Sequence, residues 1–139
     1  MRKTLQVLLA VFGVTAIGIS LLHVVLGPAS IPGAVPVNAT MDSEDRFYAI
    51  LFLAFGATLL WCVKNVERKA LVVYFLMLTF LVGGFARLIS IAAVGLPNNF
   101  FIVMTVLELL LPLIYAYLQY RVSSKAGPNL RKTQVSTKN

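Results

Sequence analysis

The chain has one cysteine, Cys62, and one histidine, His23. An internal disulfide and a cysteine cluster are therefore excluded, and no side-chain set remains for a dedicated transition-metal site. Charge is scarce too. Only 12% of the 139 residues are charged, five of them acidic, while 59% are hydrophobic, a balance far outside the soluble range. No nucleophile motif, nucleotide-binding loop or internal repeat is visible, and no cofactor is expected. The formal charge of +7 does not point to nucleic acid, because the basic residues flank apolar runs instead of alternating with aromatics on one face.

What the chain does hold is four long apolar stretches, each near or above the roughly 18 residues needed to span a bilayer. The expected fold is all-α: an integral membrane bundle of four transmembrane helices over residues 1–120, with spans at about 5–26, 47–63, 70–94 and 100–120. Met1-Arg2-Lys3 followed by an apolar run resembles a signal peptide, but the run 5–26 exceeds the ~7–15-residue core of such signals and is read as a helix. Gly27-Pro28 ends the first span, because proline cannot continue the hydrogen-bond ladder. Asp42, Ser43, Glu44 and Asp45 are candidate caps for the second span. Residues 121–139 read as a flexible basic tail whose charge suits contact with anionic lipid.

Arg2, Lys3, Lys64, Arg68, Lys69 and the tail cations fall on one side of the spans, and Arg46 alone borders the other. This bias predicts cytoplasmic amino and carboxyl ends. Trp61, Tyr74, Tyr115, Tyr117 and Tyr120 lie toward the basic side and Tyr48 toward the opposite one, as interfacial aromatics do.

Two charges remain inside the spans, Arg87 and Glu108. They lie about seven and about eight residues from the loop 95–99, so at 1.5 Å per residue both sit roughly 10 to 12 Å deep. A direct or water-bridged ion pair across this tight hairpin is the simplest way to satisfy both. Thr79, Gly83, Arg87 and Ser90, with Gly84 beside them, form one candidate inward stripe. Thr105, Glu108, Pro112, Tyr115 and Gln119 form another, and Gly13, Ala16, Ser20, His23 and Gly27 a third. Pro112 cannot donate to the carbonyl of Glu108, which predicts a kink and a polar cavity beside the acid. His23 is read as a packing histidine or a proton shuttle. Arg46 is expected to snorkel, to attract an anion, or to pair with Asp45, Glu44 or a lipid headgroup. Together His23, Arg46, Ser90, Arg87 and Glu108 make a candidate polar cluster in the outer half of the bundle. Asn38-Ala39-Thr40 also fits a glycosylation acceptor.

At Arg46-Phe47, Gly83 to Ser90, Gly95-Leu96-Pro97 and Glu108-Leu109 the chain resembles a bacterial family of small four-span membrane proteins known only as domain of unknown function 4345. The resemblance implies the four-span fold and a bacterial inner membrane, and transfers no substrate. Three functions fit the residues. The first is binding of a lipid or another amphipathic anion around Arg87 and Glu108. The second is a structural or accessory role beside another membrane protein, with the pair acting only as a helix clamp. The third is proton transfer on an apolar substrate by Glu108, alone or with His23. The partners expected are therefore membrane lipids, a small amphipathic ligand or another membrane protein.

Overall fold

The computed structural model describes the backbone of residues 1–136 and side chains as far as Ser124. The chain is all-helical among these residues: α1 (Arg2–Leu26), a 3-10 turn (Gly27–Ser30), α2 (Ala39–Val63), α3 (Ala70–Val94) and α4 (Asn99–Ser136). Four of these segments are long and apolar enough to cross a membrane. The tail expected over 121–139 does not begin at a helix end: α4 continues past residue 120 to Ser136, and residues 137–139 lie outside the described backbone. Pro112 is buried inside α4, and the helix continues through it.

Local chemistry accounts for the boundaries. Gly27 closes α1 at φ +59°, its N–H bonded to the carbonyl of His23, and Pro28 opens the 3-10 turn. A side chain there would also strike Asp42 Oδ1 at 2.6 Å, so the site needs glycine twice over. Helix α2 starts at Ala39, about one turn ahead of the start that caps at 42–45 would give. Its cap is Asn38, whose side-chain oxygen accepts from the N–H of Met41 at 3.0 Å, so Asp42, Glu44 and Asp45 lie within the helix and do not cap it. The same contact makes the asparagine of the possible glycosylation acceptor a helix cap. Asn98 serves α4 in the same way, accepting from Phe100 N–H at 3.0 Å.

The helices pack as two antiparallel hairpins, α1 with α2 and α3 with α4. Gly13 and Gly56 face one another across the first: a Cβ on either would lie 2.9 Å from the other's carbonyl oxygen. In the second, a Cβ on Gly84 would lie 3.0 Å from Leu109 and 3.1 Å from the Cβ of Glu108. Lipid tails are as apolar as the helices, so close van der Waals contact of this kind, not hydrophobic burial, drives association within a membrane. Gly83, expected on the packing face, has nothing within 4 Å, and Thr79 and Ser90 are exposed. The contact face of α3 is thus displaced by one residue, onto Gly84.

The two hairpins join at the basic end, where both the amino terminus and the turn 64–69 lie. Leu5, Leu9, Leu59, Cys62, Val66, Val73, Leu76, Met77, Tyr115 and Val122 form one buried cluster there. Polar side chains complete it. Gln6 donates to Val63 O, at the last residue of α2, at 2.6 Å, and Gln119 donates to Val66 O, in the turn that follows, at 2.8 Å. Tyr115 donates to Leu8 O at 2.9 Å, so it is a core residue of the bundle and not the interfacial aromatic its position suggested. Arg2 pairs with Glu67 at 2.8 Å across the same end.

If glycine contact is what holds each hairpin, Gly56→Ala should lower the thermal midpoint of the detergent-solubilised protein, because its methyl meets the Gly13 carbonyl. Gly83→Ala should leave the midpoint unchanged or raise it, with up to about 1 kcal/mol available from helix propensity. Circular dichroism melts of the two variants distinguish the cases, and equal losses would count against packing as the cause.

Candidate functional site

Toward the loop end each hairpin carries its own polar set. In the first, Arg46 grips Asp42 through two parallel bonds, Nε to Oδ2 at 2.9 Å and Nη2 to Oδ1 at 3.1 Å. Its Nη1 donates to the carbonyls of Val24 and Val25. Those are among the last carbonyls of α1, which have no intrahelical partners, and a cation there also suits the negative end of the helix dipole. Arg46 is therefore a side-chain cap of α1, held by a residue one turn away on α2. His23 Nδ1 lies 3.1 and 3.2 Å from the two oxygens of Asp45 and donates to them. The partner of Arg46 is Asp42, which its i,i+4 spacing would have indicated had the early start of α2 been anticipated.

In the second hairpin Arg87 Nε donates to Glu108 Oε2 at 2.6 Å, the direct pair expected from their equal depth. The guanidinium carbon also stands 5.3 Å from the ring centroid of Phe101. The close approach of α3 and α4 at Gly84 brings the two charges within reach. Their exposure differs: the Glu108 side chain is 10% exposed and that of Arg87 39%. No hydrogen bond of the described residues uses Arg87 Nη1 or Nη2, or Glu108 Oε1.

His23 and Arg46 are thus separated in hydrogen bonding from Arg87 and Glu108, and Ser90, though near Arg87 in sequence, bonds to neither. The predicted cluster divides into two, one per hairpin. No group of three or more metal-binding side chains occurs among the described residues.

The bundle also contains a feature that the polar pattern did not reveal. Phe12, Phe55 and Phe80, from α1, α2 and α3, meet midway along the helices, with Phe12 and Phe80 centroids 4.7 Å apart and Phe55 and Phe80 5.9 Å apart. Tyr115 of α4 joins at 5.8 Å from Phe12. These contacts identify the face of α3 that is turned toward the first hairpin. Along this face cover is lost from the basic end outward. On one line Val73 is fully buried, Phe80 half-buried and Arg87 39% exposed; on the adjacent line Leu76 is buried, Gly83 open and Ser90 exposed. On α2, Tyr48 lies two turns outward of Phe55 and is 61% exposed. The hairpins share the buried cluster below the aromatic layer, and in the loops a Cβ on Gly33 would lie 3.1 Å from the Asn98 side chain. Arg87 stands outward of this layer, with 39% of its side chain exposed.

The pair can be tested as a structural unit. Glu108→Ala leaves the guanidinium without a counter-charge within the membrane, a loss of about 2–3 kcal/mol. Arg87→Met combined with Glu108→Gln removes both charges and should recover most of that loss. Reversible unfolding in mixed micelles reads both, and equal destabilisation of the single and double variants would argue against a charge pair.

A family model described as a domain of unknown function (DUF4345) matches residues 4–119. No curated protein and no solved structure matches the chain. The matched region takes in both hairpins, the Arg87–Glu108 pair and the aromatic layer, and the chain is a multi-pass membrane protein that belongs to the DUF4345 family.

Proposed function

We propose that the protein binds an amphipathic anion, a lipid or a fatty acid, in the opening between its hairpins, with Arg87 as the anchor. One observation carries this reading: Arg87 spends only Nε on Glu108, and its Nη1 and Nη2 edge is free of hydrogen bonds among the described residues beside an uncovered helix face. That edge is the planar donor pair that matches a carboxylate or phosphate. Glu108 holds the guanidinium through Nε, so an arriving anion meets the remaining Nη1 and Nη2 edge. The apolar walls suit the rest of an amphiphile. The charge bias supports an orientation with the basic end in the cytoplasm, and in a bacterial inner membrane the opening then faces the outer leaflet.

Native mass spectrometry of gently extracted protein tests the proposal. The wild-type chain should retain an anionic amphiphile, and Arg87→Ala should lose most of it, while Arg46→Ala, in the separate α1 cap, should keep it. Equal retention by wild type and Arg87→Ala, or recovery with a stoichiometric membrane protein and no lipid, would sink this reading in favour of an accessory role.

A further inference from the structure

Gln119 is fully buried at the basic end, yet only one side of its amide is paired. The nitrogen donates twice, to Val66 O at 2.8 Å and to Ser123 Oγ at 3.1 Å. Oε1 is buried as well and accepts from no donor among the described residues. Turning the amide over gives no relief. Oε1 would then face the carbonyl of Val66, acceptor against acceptor, and the nitrogen would be buried without that partner. A buried amide oxygen that accepts nothing is costly and rare, so this position calls for a donor.

The neighbouring groups narrow the choice. Val66, Tyr115 and Val122 belong to the buried apolar cluster, and Tyr115, one turn along the same face of α4, already gives its hydroxyl hydrogen to Leu8 O. Ser123 is half-buried and accepts from Gln119, and its own hydroxyl hydrogen has no acceptor among the described residues. An acceptor without a donor and a donor without an acceptor therefore sit on adjacent turns of α4, on either side of one hydrogen bond.

We propose that Gln119 Oε1 and Ser123 Oγ hold one internal water molecule. The water donates to Oε1 and accepts the Ser123 hydroxyl hydrogen, which closes a ring with the existing bond from Nε2 to Oγ. All three bonds run in the same sense around the ring, so each polarises the next. Two polar partners are enough to hold an internal water, and only a molecule this small reaches an oxygen with no exposed surface. A bound cation would need several more oxygens than these. The ring fixes the Gln119 side chain in the rotamer that donates to Val66 O, so the water is a positioning element of the joint between α4 and the turn 64–69.

Water-edited solid-state NMR of the full chain in lipid bilayers tests the site, read at the ¹³C-labelled glutamine side chains, with Gln119→Met to assign the signal. Polarisation from water should reach Gln119 Cδ several times faster than the methyl of Ala16, which is as deeply buried but lies outward of Phe12 on α1. Ser123→Ala should slow the transfer several-fold and Ser123→Thr, which keeps the hydroxyl, should restore it. Ser124→Ala should change nothing, because that hydroxyl bonds to Tyr120 O. Transfer to Gln119 no faster than to Ala16 would overturn the proposal, and this comparison needs only the wild-type chain if a variant fails to fold. Transfer that Ser123→Ala leaves unaltered would overturn it too.

Discussion

The architecture depends on how the basic end of the bundle pairs covered backbone carbonyls with side chains from other helices. A helix leaves its last carbonyls without intrahelical partners, and one that neighbouring helices cover must find its donor among side chains. Gln6 and Gln119 donate to Val63 O and Val66 O at the end of α2, and each comes from a different helix. With Tyr115 on Leu8 O, these bonds tie α1, α2 and α4 together at one end. Gln119 is fully buried, which leaves its amide little choice of partner and fixes α4 against the turn 64–69. A hydrogen bond between membrane helices contributes only about 0.6 kcal/mol on average, so the value of the set lies in register as much as in energy.

Joining at one end has a consequence at the other. The glycine contacts at Gly13 with Gly56 and at Gly84 act within hairpins, and so do the ion pairs of Arg46 and Arg87. Among the described residues no hydrogen bond crosses from one hairpin to the other above the aromatic layer. The polar contacts of each hairpin toward the loops are therefore internal to it. The two arginines show how differently the same side chain is used under that constraint. Arg46 commits its donors to Asp42 and to the end of α1, whereas Arg87 commits one nitrogen and keeps an open edge.

Much of this is legible in the residues because membrane helices obey simple rules of length and charge. The four spans follow from hydropathy, and the third helix has the expected bounds at both ends. Equal depth across a short loop was enough to pair Arg87 with Glu108, and the stripe from Thr105 to Gln119 is buried throughout. The start of α2 was harder to read, since polar residues from Asn38 to Asp45 resemble a loop until Asn38 is recognised as the cap and Arg46 as the partner of Asp42. The choice between adjacent glycines was harder still. Gly83 and Gly84 are equivalent in composition, and a rotation of 100° about the helix axis decides which one packs.

By itself, then, the order of residues determined a four-span all-helical membrane protein and the pairing of two charges within its spans. Both are local or nearly local: one depends on runs of apolar side chains, the other on the reach of a single hairpin. Tertiary structure decided what those properties could not. It assigned His23 and Arg46 to one hairpin and Arg87 and Glu108 to the other, moved Tyr115 from the interface to the core, and brought Phe12, Phe55 and Phe80 from three helices into one layer. The reason is rotational: which side of each helix meets its neighbours depends on the closest contacts along its whole length, and these exist only once the helices are assembled.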